Sequence, residues 1–449
     1  MTIKARNGQR TVRPVLALAV CTLALAVTAS AQIAETVNCS DSTSGAYSRI
    51  GDALAAALAT PGYTPGTQIY INIYGPCQEY VKISGLQNVS LAGMDADLTV
   101  LNQPANLFGG TGYWPALEID NSSWIAVQNL SFVGPGAVSK QSSPLVSVQN
   151  STAISLSNFN VSASVGDGIS VYASQIGING TATIQNNTAN GMSIASASTV
   201  AVGGYDSAHP VTISNNQQDG IAMSNGGNLS LFWYTTVTEN GGTNSTWAGL
   251  QMSNSMALLC CGPGPNIDYN VGWGIDAEEL SSVIIVGGNS TTPASVSHNT
   301  QGGIYDVAGW VGIYNTTNIE YNGDSTQANP LGGIDVLANG ALQAYGANIE
   351  NNYGPGLLVS QSSSADLGLG GSGPTTITAN TGSGIYVQVN GSVQFDGAGT
   401  TVTGNTPKDL TCAAAGIAAE DNGAPPTIGK MSCGNLFDLP PRKHKKAKN

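Results

Sequence analysis

Between Lys82 and Lys408 the chain carries one Lys, Lys140, and no Arg. Nucleic acid and other polyanions are bound through Lys and Arg, so a chain with a formal net charge of −13 and this distribution excludes them as partners. Charge of either sign is scarce, at 9% of residues, and aromatics make up only 6%. Such poverty often accompanies disorder, yet 41% of the residues are apolar. A core is therefore available to a fold that can use small side chains. Long hydrophobic runs are missing as well. The one candidate, Val15–Val27, is too short to span a bilayer, follows a basic stretch (Lys4, Arg6, Arg10, Arg13) and precedes Ala29-Ser30-Ala31. That pattern is a secretory signal peptide covering residues 1–31, with no transmembrane segment elsewhere, and it predicts a secreted or cell-surface protein.

Histidine occurs three times, and no Cys/His spacing suggests a zinc site, so neither metal nor cofactor is expected. Cys21 falls in the leader; six cysteines remain. Export permits disulfides. Cys39 with Cys77, and Cys412 with Cys433, bracket the two ends and are expected to staple them. Cys260-Cys261 reads either as a vicinal disulfide or as two buried thiols.

What the chain has in abundance is glycine, 57 residues, and a repeated phrase. DGISV, NGMSI, DGIAM, AGLQM, WGIDA, GGIYD, GGIDV, PGLLV and SGIYV place Gly at 168, 191, 220, 249, 274, 303, 333, 356 and 384, with gaps of 23 to 30 residues. Asn187, Asn216, Asn270, Asn299, Asn352 and Asn380 each stand four residues before such a glycine, and Asn405 begins a degenerate last copy. Self-similarity of this period means a solenoid. Each unit holds three short alternating runs bounded by Gly, Ser, Asn or Pro, as in GIDA, SVIIV and ASVSHN. The reading is an all-β fold, a right-handed parallel β-helix with three strands per turn and roughly a dozen turns. The Asn residues are expected to stack as an amide ladder at one corner. The glycines are expected to supply backbone geometry that a side chain would forbid.

Tyr47–Ala59 has helical spacing, with Ile50, Leu54 and Leu58 on one face, and predicts a short helix closing the open end. QIYINIYGPC, EYVKIS and NVSLAG follow as strands. This order resembles the entry to the pectate-lyase-like superfamily of right-handed β-helix proteins. The resemblance implies one domain over 32–439, with an N-terminal cap at about 36–66 and a disulfide-bearing C-terminal cap at about 411–439. Residues 440–449, PRKHKKAKN and its leading proline, read as a basic disordered tail. The pectin-degrading members lean on Arg, Lys or characteristic Asp motifs. No Asn-Thr-Asp, Asp-Asp, Gly-His-Gly or Arg-Ile-Lys occurs in this chain, so those activities are not expected.

The chemistry that remains is acidic. In the Gly-Ile strands the residue after Ile faces outward, which gives the column Ser170, Ser193, Ala222, Gln251, Asp276, Tyr305, Asp335, Leu358 and Tyr386. Insertions at Asn240–Gly249, with Trp247, and at Asn322–Gly333, with Asp324, border its middle. Asp276 and Asp335 are candidate catalytic carboxylates of an inverting polysaccharide hydrolase, with Tyr305, Asp306, Gln251 and Trp247 as substrate contacts. The alternatives are a solvated acidic face and a non-catalytic adhesive solenoid. A second column, Asp268, Ser297, Glu320 and Glu350, lies beside Tyr269, His298 and Tyr321. His209 and His298 read as corner residues.

Overall fold

The computed structural model describes residues 32–438 apart from 42–45, 95–98, 105–112, 137–142, 289–291, 327–330, 371–372, 397–398, 422–424 and 434–436. The leader and the basic tail expected from the sequence lie outside the described residues. Strands form two sheets, one of 13 strands and one of 26, and nearly every pairing is parallel. Each turn sends one strand to the smaller sheet. To the larger it sends two short strands, or one long strand with a register shift, as in Ile154–Ser162 and Trp310–Glu320. The fold is a parallel β-helix. Along each strand, apolar side chains alternate into a single continuous core, for example Ile275, Ile304, Ile334 and Leu357 on successive rungs.

The corner that feeds the smaller sheet carries the repeated Asn. Asn187, Asn216, Asn240, Asn270, Asn299, Asn322, Asn352, Asn380 and Asn405 form one unbroken chain through the protein. Each Nδ2 donates to the Oδ1 of the next rung at 2.8–3.0 Å, and each backbone N–H donates to that same Oδ1 at 3.0–3.2 Å. From Asn216 onward the second Nδ2 proton goes to a backbone carbonyl of the preceding turn, such as Ile184, Ile213 or Val237. The carboxamide thus uses two donors and two lone pairs, a set no other short side chain offers. The side chains from Asn187 to Asn352 have no exposed surface at all. Burial is tolerable because every polar atom is satisfied.

Two ladder members, Asn240 and Asn322, lack the four-residue spacing to the next glycine because the two insertions follow them. The ladder ends on an acceptor. Asp409 Oδ1 receives the Asn405 N–H at 2.8 Å and its Nδ2 at 3.0 Å, and Oδ2 receives the Lys430 N–H at 2.6 Å. At the last rung nothing remains to be donated to, so a carboxylate replaces the carboxamide. Burial opposes ionisation of Asp409, but these donors outweigh it and hold its pKa below the usual carboxylate range.

The repeat glycines serve a different purpose from the one expected. Gly168, Gly191, Gly220, Gly249, Gly274 and their successors are not in the left-handed region; the residue just before each ladder Asn is, from Asn186 at φ 57° through Tyr269, His298 and Tyr321 to Ala379 at 56°. The glycines are bare because a Cβ would collide with the ladder. At Gly274 it would lie 2.6 Å from Asn299 Nδ2, 2.5 Å from Val296 Cγ1 and 2.8 Å from the Gly303 carbonyl oxygen. Asn-x-x-x-Gly is therefore one contact repeated, amide against backbone of adjacent rungs.

A second polar column runs along the corner ahead of the larger sheet. Ser122, Ser151, Ser174 and Ser198 each accept the N–H of the residue one turn below at 3.0–3.2 Å. At Gly309 and Gly340 this column loses its hydroxyls, and the carboxyl group of Asp306 fills the space. A Cβ on those glycines would lie 2.4 Å from Asp306 Oδ1 and 2.6 Å from Oδ2.

At the N-terminal end the helix Ile50–Ala59 buries Ile50, Ala53, Leu54 and Ala57 against the first strands of both sheets. Its own N-cap residue, Arg49, makes no side-chain cap. Glu79, distant in sequence, supplies one, accepting the N–H of Ile50 at 2.6 Å and of Gly51 at 3.3 Å. Cys39–Cys77 and Cys412–Cys433 are disulfide-bonded; Cys260 and Cys261 are free thiols, the first buried. Among the described residues no helix is long and apolar enough to cross a membrane.

Removing one rung of the ladder should leave buried partners unpaired on both sides. Asn299→Ala is expected to destabilise by about 1–3 kcal/mol in a urea titration. Asn299→Asp should cost more at neutral pH, since the donor to Asn322 is replaced by a buried charge. Ser207→Ala, at an exposed turn, should cost little. Equal effects of the three substitutions would contradict the ladder.

Candidate functional site

The strands Leu250–Ser253, Trp273–Glu278, Gly302–Val307 and Ile334–Leu337 are successive rungs of the smaller sheet. Their register places Gln251, Asp276, Tyr305 and Asp335 in one column on its outer side. Rungs stack at about 4.8 Å, so the backbones of Asp276 and Asp335 are about 10 Å apart with Tyr305 between.

Within that column the environments differ. Asp276 is half-buried, and its Oδ1 is fully enclosed without a hydrogen-bond partner. Burial, then the charges of Glu278 and Asp219, push its pKa up to about 7. Asp335 was expected on the open face, but it is 1% exposed. The Gly332 amide donates toward its carboxyl group, and burial again pushes its pKa up to about 7. Its Oδ1 too has no partner. Tyr305 is raised by burial and by the carboxylates around it, Asp276 first.

Asp306 is not a surface residue. Strand alternation turns it inward, beneath Gly309 and Gly340, at the level occupied by Ala277 and Val336 on neighbouring rungs. It is fully buried and cannot meet a substrate without unfolding of the corner.

Two residues not foreseen as site members, Trp273 and Asp219, lie buried beside the column. Trp273 stacks on Tyr305, ring centroids 4.9 Å apart, and lies across Gly302, where a Cβ would sit 2.1 Å from its Cζ3. The available signal was a Trp directly ahead of a repeat glycine, at a position that holds small or polar residues in the other copies. Asp219, in the corresponding place two turns earlier, continues a stack in which Asn190 donates to Asp167 and Asp219 N–H donates to Asn190. Asp219 accepts the Ala248 N–H, and burial pushes its pKa up to about 7. The first insertion sets Trp247, half-buried, with its carbonyl against Gly272, one residue from Trp273. Gln251 is half-buried. Asp324 is half-buried and accepts from the Thr326 N–H and hydroxyl.

The second acidic column lies on the larger sheet, where Asp268, Ser297, Glu320 and Glu350 occupy consecutive rungs. Burial, then Glu350, raise the pKa of Glu320. Beside it Tyr269, His298 and Tyr321 form a stack at the corner, with centroids 4.6 and 5.0 Å apart. His209 is exposed at a turn and paired with Asp206. Among the described residues the single metal-like cluster is Cys39, Cys77 and Glu79, whose sulfurs are committed to a disulfide.

The smaller-sheet column can therefore offer the Tyr305 ring and its phenolic hydroxyl, with the Asp276 carboxyl group whose pKa burial pushes up to about 7. Its one described cation is Lys82, paired to Glu118 at the far N-terminal end. No family model matches the chain, and no curated protein matches it. Among solved structures it is similar to the A-module of mannuronan C-5 epimerase AlgE4 from Azotobacter vinelandii, with 11% identity, a TM-score of 0.41, and 87% of this chain and 94% of that one covered. It is similar also to the catalytic unit of a GH87 alpha-1,3-glucanase from Streptomyces thermodiastaticus, at 12% identity and a TM-score of 0.38 over 86% and 68%. For pectate lyase Pel9A the values are 14% and 0.27 over 90% and 78%. The strand pairing makes this chain a parallel β-helix.

Asp306 has a clear linkage consequence. Its folded pKa is raised to about 7, above the unfolded value near 4, so the folded state holds the extra proton between those limits. Stability from this group is present below about pH 4 and is lost as pH rises through about 7. Wild-type protein should lose stability between pH 5 and pH 8 in urea titrations. Asp306→Asn should flatten that slope, by roughly 2–4 kcal/mol across the window. An unchanged slope in the variant would show that Asp306 is ionised in the folded protein.

Proposed function

We propose that this is an exported protein that binds neutral polysaccharide along the outer column of the smaller sheet. Residues 1–31 act as the leader and 440–449 as a basic tail on a right-handed coil of three strands per turn, closed at its start by the Ile50–Ala59 helix. The observation that carries the reading is the half-buried Tyr305 ring, backed from within by the buried Trp273, beside the half-buried Asp276 carboxyl group. An aromatic face suits the C–H side of a sugar ring, and a neutral carboxyl group both donates to and accepts from its hydroxyls. The acidic surroundings exclude an anionic glycan in the absence of a bridging cation.

A second reading is hydrolysis with inversion. It is favoured by the raised pKa of Asp276, suited to a general acid, and by a backbone separation of Asp276 and Asp335 that admits a water between them. Against it stands the closure over Asp335, which favours a non-catalytic adhesive solenoid until that carboxyl group is uncovered. A glycan array with reducing-sugar assays on neutral polymers separates these. Tyr305→Ala should weaken binding at least tenfold without changing the urea midpoint. Under the hydrolytic reading Asp276→Asn should abolish sugar release. Binding indifferent to Tyr305→Ala removes the proposed site, and release that persists in Asp276→Asn removes hydrolysis.

A further inference from the structure

The larger sheet carries a second surface with the properties of a sugar platform, separate in residues and in face from the Asp276 column. Strand Trp310–Glu320 presents Trp310, Gly312 and Tyr314 outward, and both rings lean over the glycine between them. A Cβ at Gly312 would lie 2.5 Å from Trp310 Cη2 and 2.8 Å from Tyr314 Cε2. On the next rung Tyr345 leans likewise across Gly368, whose Cβ would be 2.7 Å from its Cε1. Side chains on a sheet normally stand upright and show ring edges. Rings that lie across glycines expose part of a face instead.

The polar atoms among these rings are fixed in a relay. Tyr314 donates its hydroxyl to Gln343 Oε1 at 2.6 Å, Gln343 Nε2 donates to Tyr345 Oη at 3.0 Å, and Tyr345 donates to Asp366 Oδ2 at 2.7 Å. The relay ends inside the protein, at Asp366, whose Oδ1 is buried and has no partner. The rung below supplies apolar surface, with Ile284 beneath Gly312 and Val286 beneath Tyr314. No Lys, Arg or His occupies the outward positions of these rungs.

We infer that the Trp310–Tyr314–Tyr345 surface is a binding site for neutral polysaccharide, with sugar rings lying on the aromatic faces, which the hydroxyl relay ending on the buried Asp366 carboxyl group holds in place. A pyranose has an apolar C–H face, which matches rings laid flat over glycines. Negative charge without a cation rejects anionic glycans.

The test is affinity electrophoresis in gels containing soluble mixed-linkage β-glucan, galactomannan, xylan or dextran, using wild type, Trp310→Ala, Asp366→Asn, Gly312→Leu and the smaller-sheet variant Tyr305→Ala. Trp310→Ala and Asp366→Asn should each weaken retardation at least fivefold in a gel that retards wild type, with unchanged urea midpoints. Gly312→Leu should do the same by lifting both rings. The inference stands independently of the smaller-sheet site. Loss only in Tyr305→Ala would overturn this one and leave that site intact; loss only in Trp310→Ala and Asp366→Asn would do the reverse. No retardation of wild type by any of the four polymers overturns it. So does a self-association seen by sizing that disappears in Trp310→Ala while retardation persists, since that assigns the face to protein contact.

Discussion

A carboxamide with two donors and two lone pairs, repeated once per turn, is the constraint on which this molecule depends. Each turn of the coil must reverse direction inside a closed core, where its backbone N–H groups have no water to turn to. The Asn column answers that at one corner by giving each amide partners in the rungs on both sides, without leaving a polar atom over. The requirement propagates outward. It demands a bare glycine one step along the next strand, because the amide occupies the place of a Cβ. It also holds the preceding residue in the left-handed region, which is where Tyr269, His298 and Tyr321 are brought into a stack. Polar surface chemistry near this corner is thus a consequence of how the corner is made.

The two polar columns behave differently when a rung departs from pattern. The Asn ladder is unbroken from Asn187 to Asn405 and changes only at its ends, where Ser164 donates its N–H to Asn187 Oδ1 and Asp409 substitutes an acceptor for a donor-acceptor pair. The Ser column has gaps, and two of them are filled from elsewhere. At Gly309 and Gly340 the filler is Asp306, a carboxyl group carried into the core on an inward position of the neighbouring strand. The cost is a group that must stay protonated to remain comfortable there, which couples the middle of the coil to pH.

Much of the architecture was legible because period two within strands and a period near 28 between turns are both written in residue types. The outward column from Ser170 to Tyr386 follows from those periods alone, and the register reproduces it rung for rung. Asn240 and Asn322 escaped because spacing was counted forward to glycine, across the insertions. Counting back to the inward Val237 or Ile319, three residues earlier as in every other copy, finds both. Asp306 was misplaced although alternation with Ile304 and Tyr305 already turned it inward. The enclosure of Asp335 had no such signal. Alternation puts Asp335 on the outer side of its strand, and what packs over that side is a tertiary matter that neither periodicity nor composition encodes. The Trp310 surface lies at outward positions of a strand whose pattern looked ordinary; the flat rings become visible only when Gly312 and Gly368 are seen as floors.

The ladder's side-chain protons offer the most direct examination of this account. Hydrogen exchange of Asn carboxamide protons, followed by NMR on protein transferred to D2O with Asn selectively labelled, reports the ladder apart from the backbone. A buried set of Nδ2–H resonances, matching the ladder residues from Asn187 to Asn405, should persist for hours while those of surface Asn vanish within the dead time. Exchange of all Asn side chains at the surface rate would mean that the column is open to water, and the explanation of the repeat would be wrong.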